Sequence, residues 1–437
     1  MSIRLINKIS LTLCILFSVS FLHAQDGAYN GYTPYSIYGV GDLQKPGTAF
    51  NAGMGGVGVA TRNRRFINTM NPASVTARDT LSFMADFGLS GKAVSFRQND
   101  LKSGNNTFNI SDFVMSFPVY KSFSMMLGIM PYSNVGYDYS FIETDPDVIG
   151  NTGNIGYAAT GDGGLYQMYV AGGVDLWNRL SVGAEAIYYF GDIDKAVNMV
   201  FSQSSYRNIV SGYVMQLRGT TGKIGLQYEQ PLGKVTMTLG ATYKLSSKMK
   251  GYVTDYTYAN LASQTDTLTH RVDTLGSRNL RFGDELGIGI ALRSGDRWRF
   301  EVDYFRSGWK DSGLDGHAGF ADRGDAVFSA SVSSSLKAGF EITPNRSDIR
   351  YFYKRWTYRA GAYYDKEYYR LNGRTVTSYG LTLGMTVPVY MGYNGISFAL
   401  DIGQRGSVVD DMVRERYIGF NIGVNIFDIW FRKHRYE

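Results

Sequence analysis

The chain has a single cysteine among 437 residues, Cys14, and it falls in an N-terminal stretch that reads as removable. Met1 to Ala24 starts with Arg4 and Lys8, runs apolar from Ile9 to Phe21 and ends Leu22-His23-Ala24. That is the charged, apolar and small-residue order of a secretory signal. Its LTLC lacks the small residue a lipoprotein signal places before cysteine. The processed chain then has no thiols, which excludes disulfides, thiolate metal sites and cysteine nucleophiles. Long apolar runs are missing as well. No segment after Ala24 approaches the roughly 18 consecutive apolar residues of a transmembrane helix. Membrane passage, if it occurs, therefore requires a closed β-barrel, because lipid cannot satisfy an open sheet edge. Charge bias is weak: the formal net charge is +6, and the signal carries two of the positives. That is too mild to argue for nucleic acid. Histidine is scarce after the signal, at His270, His317 and His434, and no local Ser-His-acid arrangement accompanies them, so no enzyme and no catalytic residue is expected. The acidic stretches Asp145-Pro146-Asp147 and Asp311 to Asp325 lack EF-hand spacing and read as solvated loop charge, without metal or cofactor.

What is abundant is glycine, at 52, with 33 tyrosines and 25 phenylalanines against 9 prolines. Apolar residues recur with period two. Val235, Met237, Leu239, Ala241 and Tyr243 alternate with Thr236, Thr238, Gly240 and Thr242, and Ile418, Phe420, Ile422, Val424 and Ile426 alternate with Gly419, Asn421, Gly423 and Asn425. About fourteen such segments have the length of transmembrane barrel strands. Short connections, such as Trp177-Arg179 and Ser294-Arg297, alternate with long ones over Lys92–Asn106, Glu143–Gly161, Ala259–Arg271 and Lys310–Asp325. A secreted β-sandwich also alternates, but it does not explain alternating loop lengths; short periplasmic turns and long outer loops do belong to outer-membrane barrels. Tyrosines at strand ends, among them Tyr188-Tyr189, Tyr252, Tyr363-Tyr364 and Tyr368-Tyr369, fit an aromatic girdle. The expected fold is all-β: a transmembrane antiparallel barrel of about 14 strands in the outer membrane of a gram-negative bacterium.

A barrel of that width leaves a hole unless something fills it. The sequence offers residues 25–79, polar and glycine-rich, as an N-terminal plug. The remaining divisions are a signal at 1–24, the barrel at 80–427 and a basic, aromatic periplasmic tail at 428–437. In the plug, Gly53, Gly55 and Gly58 match a dinucleotide-fingerprint spacing, but no βαβ unit surrounds them. With Gly56 they suit a backbone passing close to the wall. Asn71-Pro72-Ala73 is a turn signal. Arg62, Arg64 and Arg65 are candidates to lock the plug against inward acids such as Asp86, Asp138 or Asp401, or to hold a ligand carboxylate.

AGMGGVGVA (Ala52 to Ala60), then Asn71-Pro72-Ala73, then about fourteen strands resembles the FadL-like family of outer-membrane transporters for long-chain fatty acids and other hydrophobic compounds. The resemblance covers essentially the whole processed chain. It implies a fourteen-stranded barrel, a hatch closing the lumen and a third strand kinked to open the wall sideways. By count, GIMPYSNVGYDY (Gly128 to Tyr139) lies in that strand. Pro131 removes a ladder hydrogen bond, Gly128 and Gly136 relax the backbone, and Met126, Met130 and Tyr132 face inward as an adaptable apolar site. No energy-coupling segment is recognisable near Gln25. The expected function is passive uptake of a hydrophobic small molecule. The alternative is a barrel serving as scaffold or shuttle in a secretion or assembly complex, and a polar, filled lumen favours it. Expected partners are the outer-membrane bilayer, the hydrophobic ligand, barrel-assembly machinery during insertion, and a protein at the periplasmic tail.

Overall fold

The computed structural model describes residues 31–78, 82–120, 122–177, 179–261, 264–275, 280–317, 319–320, 327–390, 394–409 and 412–429. The segment 1–24 and all but the first two residues of 428–437 lie outside them. The alternating stretches become fourteen wall strands: β1 (Ser82–Gln98), β2 (Leu101–Tyr120), β3 (Phe123–Asn134, continued by Tyr137–Ile142), β4 (Ile155–Leu176), β5 (Leu180–Phe201), β6 (Asn208–Leu232), β7 (Val235–Lys244, continued by Ser247–Leu261), β8 (Gln264–Thr274, Arg281–Phe282 and Asp284–Ser294), β9 (Trp298–Gly308), β10 (Phe328–Ala330 and Val332–Ile342), β11 (Thr357–Leu371), β12 (Arg374–Tyr390), β13 (Asn394–Arg405) and β14 (Arg414–Ile429). Neighbours pair antiparallel, and β14 returns to β1 with Ile429 opposite Ser82, which closes the barrel. No helix among the described residues is long and apolar enough to cross a membrane.

Period two decides which side each residue faces. On β9, Phe300 and Tyr304 are exposed outward while Arg299, Glu301 and Asp303 are buried inward. Leu286, Ile288 and Ile290 on β8 and Leu381 and Leu383 on β12 continue the outward apolar band. Such a band on a closed barrel is the lipid face of an outer-membrane protein. The short turns and Ile429, the last described residue, share one rim, the periplasmic one.

Three details differ from the sequence reading. Lys92–Asn106 and Ala259–Arg271 are largely strand, not loop: β1 and β2 pair out to Gln98 opposite Leu101, and β7 and β8 to Leu261 opposite Gln264. Ladder bonds continue past the membrane because two strands satisfy each other's backbone. The tyrosine girdle is only half a girdle. Tyr188 and Tyr364 are outward, but Tyr189, Tyr363, Tyr368 and Tyr369 are buried inside. Adjacent residues on a strand face opposite sides, so Tyr188-Tyr189 and Tyr363-Tyr364 split between lipid and lumen, whereas Tyr368-Tyr369 falls in the register shift between Lys366 and Arg370 and both rings are buried. Finally, the alternation of β3 stops after Tyr132, and residues 132–137 are all buried.

The described N-terminal residues run inside the barrel. They form a 3-10 turn at Pro34–Ile37, a two-residue strand at Asp42–Leu43, one helical turn at Ala49–Ala52 and a second 3-10 turn at Pro72–Ala77. The wall meets this segment with inward glycines. A side chain at Gly183 of β5 would collide with the backbone of Pro72 and Ala73, one at Gly240 of β7 with Val59, and one at Gly361 of β11 with Gly55. These gaps let backbone lie directly on backbone.

Candidate functional site

β3 leaves the wall at the proline. It pairs with β2 from Phe123, opposite Tyr120, up to Ile129, opposite Phe113, and the pairing ends there. Pro131 follows two residues later. Lacking an N–H, it cannot extend the ladder. On the other side β3 stays paired with β4, with a register shift between Pro131 and Ser133. Beyond the kink Tyr137–Ile142 pairs with β4, and residues 101–112 of β2 pair with β1. Among the described residues no ladder joins these two stretches to each other, so a seam runs through the outer half of the wall.

The N-terminal segment closes the seam from inside. Asp42 and Leu43 pair antiparallel with Asn134 and Ser133. The Gln44 amide donates to the Tyr132 carbonyl at 2.9 Å, and the Thr33 amide to the Gly136 carbonyl at 2.9 Å. Ser36 Oγ accepts from the Gly136 amide at 3.1 Å. The Tyr32 hydroxyl donates to the Asp138 carbonyl at 2.6 Å and also bonds Asn105 of β2, bridging both sides. This explains the lost alternation of residues 132–137: that stretch is sandwiched between wall and segment.

Behind the kink the lumen has two tiers. Met126, Met130 and Tyr132 are buried and inward, and Gly128 makes room for the Tyr169 hydroxyl. From Tyr132 an aromatic chain crosses the lumen. Its ring centroids lie 4.6 Å from Tyr189 and 5.3 Å from Phe282, then 5.5 Å from Phe282 to Trp309 and 4.7 Å from Trp309 to Tyr368. A cavity of about 360 Å³ adjoins this tier, lined by Met130, Pro131 and Tyr132. Its other walls mix charged residues, Lys244, Glu285, Lys337 and Asp365 among them, with apolar ones such as Ile187, Phe305 and Trp309.

The charged tier grips the N-terminal segment. Asp303 accepts from the Gly58 and Val59 amides at 2.6 and 2.9 Å, and Glu301 from the Ala60 amide at 2.9 Å. Lys195, fully buried, donates to the carbonyls of Ile37, Gly39 and Gly319. Asp42 receives Arg405 at 2.6 Å, and Arg405 also reaches Glu367 at 3.2 Å. Burial alone would raise the Asp42 carboxyl, but Arg405 and Lys92 outweigh it and hold it below the ordinary value.

The motifs of this segment fall where backbone is tightest. Gly53 packs on Gly384, where a Cβ would sit 2.8 Å from its Cα. Gly55 and Gly56 have φ of 73° and 77°, which favours glycine, and the Gly55 amide donates to Thr382 Oγ1. Asn71 accepts from the Ala73 amide at 3.0 Å and donates to the Val59 and Leu226 carbonyls at 2.8 and 3.1 Å. Pro72 seats against Gly183 and Gly225. The arginines choose other acids than the sequence reading proposed. Arg62 pairs with Glu229 at 3.1 Å and Arg65 with Asp296 at 3.3 Å, while Asp401 pairs with Lys45 at 3.0 Å. Glu229 and Asp296 lie beside the short turns, at the level where the segment carries Arg62 and Arg65, whereas Asp401 sits deeper.

Glu301, Asp303, Lys195 and Arg405 escaped the sequence reading. Their signal was available: charges at every second position of an otherwise apolar-patterned strand, as in Arg299, Glu301 and Asp303 of RFEVD.

The fourteen-strand barrel is a fold shared by solved FadL-type outer-membrane channels. The toluene transporter TodX of P. putida matches with TM-score 0.58 and 14% identity over 90% of this chain and 100% of its own. The toluene transporter TbuX of Ralstonia pickettii gives 0.55 and 15% over 87% and 98%. A Pseudomonas aeruginosa FadL homologue gives 0.54 and 10% over 89% and 100%. At such identities the likeness is one of fold. The chain belongs to the BamG family, whose pattern it matches over residues 5–437. No curated protein matches it.

Proposed function

We propose that the protein is a passive outer-membrane channel for hydrophobic small molecules, of hydrocarbon or long-chain fatty acid type. The observation that carries this reading is the coincidence of three features at one place: the end of the β2–β3 ladder at Ile129, the proline after it, and a cavity whose near wall is Met130, Pro131 and Tyr132. Cargo enters the lumen from outside, rests against the aromatic tier, and leaves sideways through the seam into the outer leaflet. Sideways exit spares an apolar molecule the aqueous periplasmic end. The N-terminal segment is the hatch. It blocks the lumen and seals the seam, so passage requires Tyr32 and Asp42–Leu43 to give way. Fold-sharing channels named for toluene support the chemistry of the cargo by analogy only.

A second reading has its own observation. The hatch is held by buried carboxylates and a buried lysine, and much of the cavity wall is charged. A filled, pinned lumen suits a barrel that works as a structural member of an outer-membrane assembly or secretion complex. Mass spectrometry of the detergent-solubilised protein separates the two. A co-purifying hydrocarbon or fatty acid supports the channel. Stoichiometric protein partners with no bound hydrophobic compound support the structural role and end the first reading.

A further inference from the structure

Where β2 loses β3, two acids are buried with no base beside them. Phe113 is the last residue of β2 paired with β3, and Asp112 is the next one outward. Asp86 of β1 lies diagonally across the β1–β2 ladder, opposite Val114, while Gly88 stands opposite Asp112. Asp112 is fully buried and Asp86 nearly so. Gly88 clears the space they use, since a Cβ there would collide with Asp112 Oδ2. The two carboxyl groups are within hydrogen-bonding reach of each other. Among the described residues no lysine, arginine or histidine pairs with either. The nearby acid Glu185 shows the contrast, with Lys223 at 3.9 Å.

Four buried oxygens at this place have no hydrogen-bond partner: Oδ1 of Asp86, Oδ1 of Asp112, Oδ1 of Asn425 and the Tyr169 hydroxyl. Asn425 of β14 stands directly opposite Asp86 in the closing ladder, 2% exposed, and its amide nitrogen is committed to the Arg65 carbonyl. Tyr169 of β4, also 2% exposed, reaches over Gly128 toward β2, and its hydroxyl is within electrostatic reach of both aspartates. A proton shared by the two carboxyl groups would satisfy one oxygen of each and leave the others as they are. Carboxylates removed from water need a counter-charge. A hard divalent cation supplies it through oxygen ligands alone. The described residues hold no trio of acidic, histidine or cysteine ligands, so neutral oxygens complete the set. Ser111, which donates to Asp112 Oδ2 at 3.2 Å, and Tyr169 both line the cavity of about 360 Å³, which gives an ion its way in. Ala49 of the N-terminal segment packs on Gly423 beside Asp86 Oδ1 and covers the place from the lumen.

We propose that Asp86 and Asp112 bind a calcium ion, with Asn425 Oδ1 and the Tyr169 hydroxyl as neutral donors. The ion ties β14, β1, β2 and β4 together at the root of the seam, where the β2–β3 ladder no longer does. The proposal is independent of whether the barrel carries cargo.

The test counts bound calcium in the full-length protein in detergent, by equilibrium dialysis against radioactive calcium at neutral pH after chelator treatment. Wild type is expected to hold one ion more than Asp86→Asn combined with Asp112→Asn, whose amides keep the shape without the charge. Asn425→Ala and Tyr169→Phe should each weaken that ion by about tenfold. Terbium in place of calcium should luminesce by energy transfer from Tyr169, and that part of the emission should vanish in Tyr169→Phe. Asp145→Asn with Asp147→Asn, in the outer connection before β4, should leave the difference between wild type and the double variant intact. Heat-modifiable gel mobility reports that each variant is a folded barrel, and the Asn425 and Tyr169 changes decide the matter if the double variant does not fold. Equal calcium content in wild type and a folded double variant overturns the proposal and leaves two acids that share a proton. Undiminished affinity in both Asn425→Ala and Tyr169→Phe overturns it as well.

Discussion

Asn71 spends every polar atom on holding two parts of the chain together. Its Oδ1 caps the turn at Ala73, and its Nδ2 reaches the Val59 and Leu226 carbonyls, tying the lumenal segment to itself and to β6. Asn71→Ala strands those buried partners at a cost of about 1–3 kcal/mol. Amides of residues 58–73 should then exchange with deuterium roughly tenfold to a hundredfold faster, while wall amides on the lipid-facing ladder keep their protection. Asp42 adds a pH dependence of known sign. Its carboxyl is held below the ordinary value by Arg405 and Lys92, so its contribution is complete above about pH 4 and is lost as pH falls from there through the lowered value. Exchange of the Asp42 and Leu43 amides, which lie against Ser133 and Asn134, should accelerate below about pH 4 in the native protein. In Asp42→Asn that step should vanish, and the amides should exchange fast at neutral pH too.

β3 is interrupted on one side only. A strand normally ends at a turn; this one loses one neighbour while keeping the other, and the proline marks the place. Pro131→Val restores a ladder donor and favours continued pairing with β2. If the seam is an exit, uptake of a hydrophobic tracer by cells should fall several-fold while the amount of folded barrel stays constant; unchanged uptake would remove the seam from the account. How much of this element was legible beforehand follows from what period two can and cannot encode. The alternation up to Ile129 and the inward placement of Met126, Met130 and Tyr132 are direct readings of the pattern. Residues 132–137 broke it because their environment is set by a segment about ninety residues earlier, and a one-strand pattern has no record of such a contact. The same limit applies to Arg62. Its charge was visible, but its partner Glu229 depends on how far β6 and the lumenal segment run toward one rim. The loops expected at Lys92–Asn106 and Ala259–Arg271 failed for a different reason: polar hairpin ends outside the bilayer lose apolar alternation without losing their ladder. Gly183, Gly240 and Gly361 read as ordinary strand glycines until the segment they receive is in place.

The whole molecule is two closures that differ in how they are made. The wall closes on itself through the β14–β1 ladder, with sixteen paired positions from Ser82 opposite Ile429 to Arg97 opposite Arg414, and owes nothing to the lumenal residues. The segment inside it is held chiefly through side chains, Asp303 and Glu301 on its amides, Lys195 on its carbonyls and Arg405 on Asp42, beside a short backbone ladder of Asp42 and Leu43 on Asn134 and Ser133. The wall ladders would persist if the segment moved, whereas its side-chain bonds can be exchanged for water one at a time. Excising residues 33–77 should therefore leave a barrel that still inserts and still shows heat-modifiable mobility, since the wall strands keep all their neighbours and the exposed carboxylates find water in the opened lumen. Planar-bilayer recordings should change from a closed or barely conducting wild type to a large, steady, ohmic conductance, and the excised protein should lose selectivity for hydrophobic tracers over small polar ones. A barrel that fails to fold without the segment would show that the segment is a core rather than a hatch, and would favour the structural role.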